Sequence, residues 1–228
     1  MVAVKRTWPY FSGTLILSSL VSLGLFMGDV LRGSGLEYSY MVWNLFLAWL
    51  PLLFARLLLR ILHGPRTQRW QSWQGIAASL LWLGFLPNSF YMVTDYIHLQ
   101  DVANVDILYV VVMLTSFVMN GLLLGFISLY LVHVELRQRW SSLRTRLSIT
   151  GVLLACSFAI YLGRYLRWNT WDVLRDPAGL LFDVSSSIVD PFSYPRMVTT
   201  TAIFFVLLSS LYLVLYNTVR TLRLPPRG

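Results

Sequence analysis

Apolar residues along this chain gather into long runs, and polar residues into the gaps between them. Runs long enough to cross a hydrocarbon core of about 30 Å occur six times, near 10–29, 40–62, 73–93, 106–134, 147–166 and 197–219. Each predicts a helix, because a segment in lipid must satisfy its own backbone hydrogen bonds. The first run follows Lys5 and Arg6 as a signal peptide would. It is long, however, and no A-x-A-like cleavage site follows, so a retained helix is expected. The gaps are short except the last, 167–196, where Trp168, Trp171, Leu174, Phe182, Ile188 and Phe192 are too apolar for a free loop. Pro177, Pro191 and Pro195 divide it into short pieces. It is expected to lie on the membrane surface or to fold back over the bundle as a lid. The pattern predicts an all-α, polytopic membrane protein, a single transmembrane domain over 1–228 with six transmembrane helices and one long membrane-associated outer loop.

Composition agrees. Hydrophobic residues make up 57% of the 228 and charged residues 12%, with a mean hydropathy of +0.64. A soluble domain carries about a quarter charged residues, so a soluble enzyme, a disordered tail and a disulfide-stapled secreted domain are excluded. The formal net charge of +8 would suggest a nucleic-acid partner in a soluble chain. Here the basic residues sit in short loops, and topology explains them without nucleic acid. Thirteen of the 18 Lys and Arg fall in the segments that six spans would place with the two termini. Short basic loops stay cytoplasmic, so both termini are expected inside. The acids segregate the other way, leaving Glu135 alone on the inner side. Cys156 lies within an apolar run, where it reads as a small packed residue.

Two polar clusters interrupt the apolar pattern at the expected outer side. The third span ends LPNSFYMVTDYIHLQD. Pro87 interrupts or kinks the helix, and beyond it Asn88, Tyr91, Asp95 and His98 are spaced by three, four and three, one face of a continued helix. A carboxylate and an imidazole at i and i+3 can share a proton, act as an acid–base pair or chelate a divalent metal. Asp101 and Asp106 follow closely. The plainer alternative is a helix end whose polar face meets water. The second cluster is GRYLRWNTWD, at the end of the fifth span. On a continued helix Arg164, Trp168, Asp172 and Arg175 share a face, with Arg167 beside Trp171. Two arginines there run against the positive-inside trend and suit an anionic headgroup or phosphate. The alternative is interfacial snorkelling beside tryptophans. Asn44 sits at a depth similar to Asn88, and the two are expected to floor an outer cavity. Asn120 reads as interhelical glue, and Gly121 with Gly125 as a close-packing G-x-x-x-G. His63 and His133 share a depth at the inner side, but they read as ordinary interface histidines before a bis-histidine haem.

H-E-x-x-H, G-x-S-x-G, Walker A and G-x-G-x-x-G patterns are all missing. The stretches WNLFLAWLP at 43–51, LPNSFYMVTDYIHL at 86–99 and GRYLRWNTWD at 163–172 together resemble a family of bacterial integral membrane proteins known as domain of unknown function 1361. The likeness extends from the second span onward. It implies a multi-pass protein of the bacterial cytoplasmic (inner) membrane, and it implies that Asn44, Asn88, Asp95, His98, Arg164, Trp168, Asn169 and Asp172 belong together. It brings no established activity.

Three functions fit these residues. The first is an outward-facing, metal-assisted enzyme acting on a lipid or lipid-linked substrate, with Asp95, His98 and Asp172 as acid–base groups or, for Asp95 and His98, as metal ligands. Asn44, Asn88, Tyr91, Arg164, Arg167, Trp168 and Asn169 would bind the substrate. The second is a non-catalytic assembly or regulatory partner of other membrane proteins. The third is a small transporter or channel with an acidic outer vestibule.

Overall fold

The computed structural model describes residues 2–34, 36–64, 70–101, 107–168, 170–190 and 193–222. Among these described residues, 91% are helical. The helices are α1 (Val2–Asp29), α2 (Ser39–Leu62), α3 (Trp73–Tyr91), α4 (Ile107–Arg139), α5 (Ser142–Tyr165), the short α6 (Asp172–Arg175) and α7 (Pro177–Val189), and α8 (Pro195–Leu222). Among the described residues, six segments are long and apolar enough to cross a membrane: Ser12–Gly33, Ser39–Leu62, Trp73–Gln100, Ile107–Arg139, Ser142–Tyr165 and Pro195–Leu222. Three of the described helices start on side-chain caps: Ser72 accepts from the Gly75 amide at the head of α3, Ser141 from the Arg144 amide at the head of α5, and Asp176 from the Gly179 amide at the head of α7.

Neighbour choice follows the small and polar residues, since lipid offers no hydrophobic drive for helices to associate. α4 is central, with 50% of its most apolar window buried, against 11% for α8 at the periphery. α2 packs on α3 and α4, α1 on α4, α3 on α5, and α8 on α5. Along α4, Gly121 and Gly125 bring the α3 backbone close. A Cβ at Gly121 would sit 2.6 Å from the Ser89 carbonyl oxygen, and one at Gly125 2.7 Å from the Phe90 ring. Hydrogen bonds then fix the register. Asn120 Nδ2 donates to Ser22 Oγ (2.8 Å) and to the Ser18 carbonyl (3.2 Å), joining α4 to α1. Trp82 Nε1 donates to Ser128 Oγ (2.7 Å), joining α3 to α4, and Ser89 Oγ donates to the Ala48 carbonyl (3.0 Å), joining α3 to α2. Such bonds contribute on the order of 0.6 kcal/mol each in membranes, so they select the arrangement more than they hold it.

α3 runs through Pro87, and from Met92 to Asp101 it narrows into a 3-10 helix. Ten residues is long for this geometry, which eclipses residues three apart. The side chains obey that period. Met92 and Asp95 are buried on one edge with His98 following, Val93, Tyr96 and Leu99 rest on the core, and Ile97 and Gln100 are exposed. Tyr96 pins the segment to α4 through Thr115 Oγ1 (2.9 Å). The expected α-helical face through Asn88, Tyr91, Asp95 and His98 is corrected accordingly: the α-helix ends at Tyr91, and the last two residues share a 3-10 edge.

The second continued helix is also corrected. α5 ends at Tyr165, and the Trp168 amide reaches back to the Leu162 carbonyl at 3.2 Å. Arg167 takes φ 59°, the left-handed residue of this terminating turn. The chain therefore reverses before Trp168, and Arg164, Trp168, Asp172 and Arg175 do not lie along one helix.

Candidate polar site at one end of the bundle

The site forms where α2 begins and α3 and α5 finish. The 3-10 edge turns Asp95 inward, where it is 2% exposed. Asn44, in the second turn of α2, donates from Nδ2 to Asp95 Oδ2 at 3.1 Å. Burial of a carboxylate is costly without such donors. Arg164, in the last turn of α5, lies within electrostatic reach of Asp95 and of Tyr40. Tyr40 stands one helical turn before Asn44 on the same face of α2. Its ring packs on that of His98, with centroids 4.9 Å apart. Its hydroxyl oxygen is buried and has no hydrogen-bond partner among the described residues. The cluster thus carries a carboxylate, an amide, a phenol and an imidazole, with a guanidinium within electrostatic reach.

The two clusters meet. Asn88 Nδ2 donates to Thr170 Oγ1 at 3.0 Å, and Thr170 Oγ1 reaches the Gly84 carbonyl at 3.4 Å. Tyr91 lies against α5 where Gly163 has no side chain: a Cβ there would be 3.0 Å from the Tyr91 ring. Trp171 packs against Trp43 of α2, centroids 6.3 Å apart. Trp168 does not join the Asp95 edge. Its Nε1 donates to Asp183 Oδ2 of α7 at 2.8 Å. Asp172 opens α6 and is half-buried, while Arg167 is exposed. Asn169, Asp106 and the Asp101 side chain lie outside the described residues. Among the described residues, no three His, Cys, Asp or Glu side chains gather as a metal-ligand set.

Arg167 is informative for a backbone reason. The left-handed position after a helix is normally glycine, because a Cβ costs on the order of 1–2 kcal/mol there. An arginine held in this place, beside Arg164 and Trp168, directs attention to its side chain. Sequence reasoning missed Tyr40, Thr170 and Asp183. The signal available for Tyr40 was its i, i+4 spacing to Asn44; for Thr170 and Asp183 the partners are distant in sequence, and no pattern marked them.

The opposite end has its own cluster. Glu135 is 2% exposed and accepts from Arg139 Nε at 2.7 Å, while His63 Nε2 lies 3.3 Å from its second oxygen. The other nitrogen of His63 faces the Leu59 carbonyl at 3.0 Å. His133 meets the Tyr212 hydroxyl at 2.7 Å and stacks on Tyr216. These histidines tie α2 to α4 and α4 to α8.

Six apolar helices carrying a buried polar site at one end define a multi-pass membrane protein. Residues 43–214 match the family described as Protein of unknown function (DUF1361), and the chain belongs to that family. The matched stretch contains Asn44, Asn88, Asp95, His98 and Arg164, and leaves α1 and Tyr40 outside. No curated protein and no solved structure matches the chain.

Proposed function

We propose that this protein is an enzyme of the bacterial cytoplasmic membrane that works at the outer leaflet on the polar head of a lipid or lipid-linked substrate. The observation that carries this reading is the buried Asp95 carboxylate held by Asn44, with Arg164 in electrostatic reach and the Tyr40 hydroxyl nearby, without a hydrogen-bond partner among the described residues. Asp95 accepts a proton from the substrate, Tyr40 donates a hydrogen bond to it, and Arg164 balances an anionic group such as a phosphate. His98 positions Tyr40 through ring packing. The orientation follows the basic loops, which set the end bearing Arg60, Arg137, Arg139, Arg144 and Arg146 in the cytoplasm. Trp82, Ser89 and the Asn120 amide nitrogen are engaged in helix–helix hydrogen bonds, which supports a site at one end over a route through the bundle.

The test compares total lipid extracts, by mass spectrometry, from cells lacking the gene, cells with the wild type and cells with Asp95→Asn. The wild type should convert one lipid species that accumulates in the other two, while Asp95→Asn still elutes as a monodisperse protein in detergent. Identical extracts from all three strains, or conversion by Asp95→Asn, would overturn the reading.

A further inference from the structure

Between α5 and α8, helix α7 is two-faced in an unusual sense. Its inner face carries Leu180, Asp183, Val184 and Ser187, all partly or fully buried. Asp183 is latched to Trp168 at the end of α5. The outer face, at helical spacing, carries Leu181 and Phe182 at 69% and 70% exposure and Val189 at 83%. In water, a helix with one carboxylate turned in and its large apolar side chains turned out has the wrong face outward.

Where α7 sits resolves this. It follows α5 and precedes α8, two helices long and apolar enough to cross a membrane, and is tethered to the end of one and the start of the other. Apolar side chains are exposed at the facing ends of both flanking helices as well: Tyr165 and Leu166 at the end of α5 and Val198 at the start of α8. Charge points the same way. Asp176 caps α7 through the Gly179 amide (2.9 Å), Asp183 holds Trp168, and Asp190 accepts from the Ser193 hydroxyl. These acids serve the segment itself, while Arg175 and Arg196, just before and after it in sequence, are exposed. Apolar side chains flanked by exposed arginines suit acyl chains bordered by anionic headgroups.

We infer that α7 is an interfacial helix whose Leu181–Phe182–Val189 face is embedded in the membrane surface, with the phospholipid bilayer itself as its partner. It inserts to the headgroup–acyl boundary, about 5–10 Å deep, and the Trp168–Asp183 bond sets which face is offered. The inference rests on α7 and its neighbours and is independent of the reaction assigned to Asp95.

The test uses the full chain with Cys156→Ser, which removes its one cysteine, and a bimane label on Phe182→Cys, on Val189→Cys, or on Leu180→Cys as the inward comparison. Each protein is reconstituted in phosphatidylcholine–phosphatidylglycerol vesicles. Lipids brominated on the acyl chain should quench the label at 182 and 189 several-fold more than aqueous iodide does, and should quench it least at 180. Iodide quenching without lipid quenching at 182 and 189 would put α7 in water. Protection from both quenchers would mean that protein, such as a second copy of this chain, covers the face. Either result overturns the inference. Two outward positions are labelled so that one misfolded variant leaves the result readable.

Discussion

Tyr40 separates a functional from a structural role more cleanly than any other side chain here. Its hydroxyl is buried without a partner among the described residues, and an unsatisfied buried donor costs about 1–3 kcal/mol. Tyr40→Phe should therefore leave stability in detergent unchanged or raise it by about 1 kcal/mol, read by thermal unfolding, while lowering turnover by about 10²-fold. Loss of stability with full activity would show that the phenol serves packing alone. At this scale the sequence was readable where polarity was conspicuous. Asp95, His98 and Arg164 stand out because a charged or ionisable group is rare against an apolar background. Tyr40 did not, since tyrosine at a membrane boundary is commonplace. Its role depends on the His98 ring and on the field of Asp95, which come from a different helix.

Among the elements, the joint between α3 and α4 leaves no room for a side chain at two glycines. Gly121 and Gly125 admit Ser89, Phe90 and Met92, the residues at which the α-helix gives way to the 3-10 segment. Gly125→Leu should cost at least about 1–3 kcal/mol through overpacking, seen as a lower melting temperature and as lost activity through displacement of Asp95. Leu123→Ala, a partly exposed position on the same helix, should leave both nearly unchanged. Helix existence and the G-x-x-x-G contact were legible from spacing. The two helix endings were not. Continuing α5 past Tyr165 required Arg167 to be helical, whereas the terminating turn puts it in the left-handed region, and the chain beyond it carries Thr170 against Asn88 and Gly84. The 3-10 stretch reads as an ordinary helix by composition. Its period of three becomes visible only once Met92 and Asp95 are seen buried together.

For the molecule as a whole, the six spans were legible because lipid imposes a length and an apolarity that a linear reading captures. Which helix neighbours which was not. A membrane helix is apolar on its lipid face and on its packed face alike, so hydropathy gives no contrast to orient α1 on α4 or α8 on α5. The proposed orientation is testable at this scale. Reporter fusions after residue 222 should fluoresce as green fluorescent protein and be inactive as alkaline phosphatase, and fusions near residue 185 should behave oppositely. The reverse pattern would place the Asp95 site in the cytoplasm. A final consequence lies in the ten residues from Met92 to Asp101. At about 2.0 Å per residue the segment reaches about 20 Å, where an α-helix would reach about 15 Å. It is a drawn-out coil, and relaxing it would shorten the chain by about 5 Å and rotate Asp95 off Asn44.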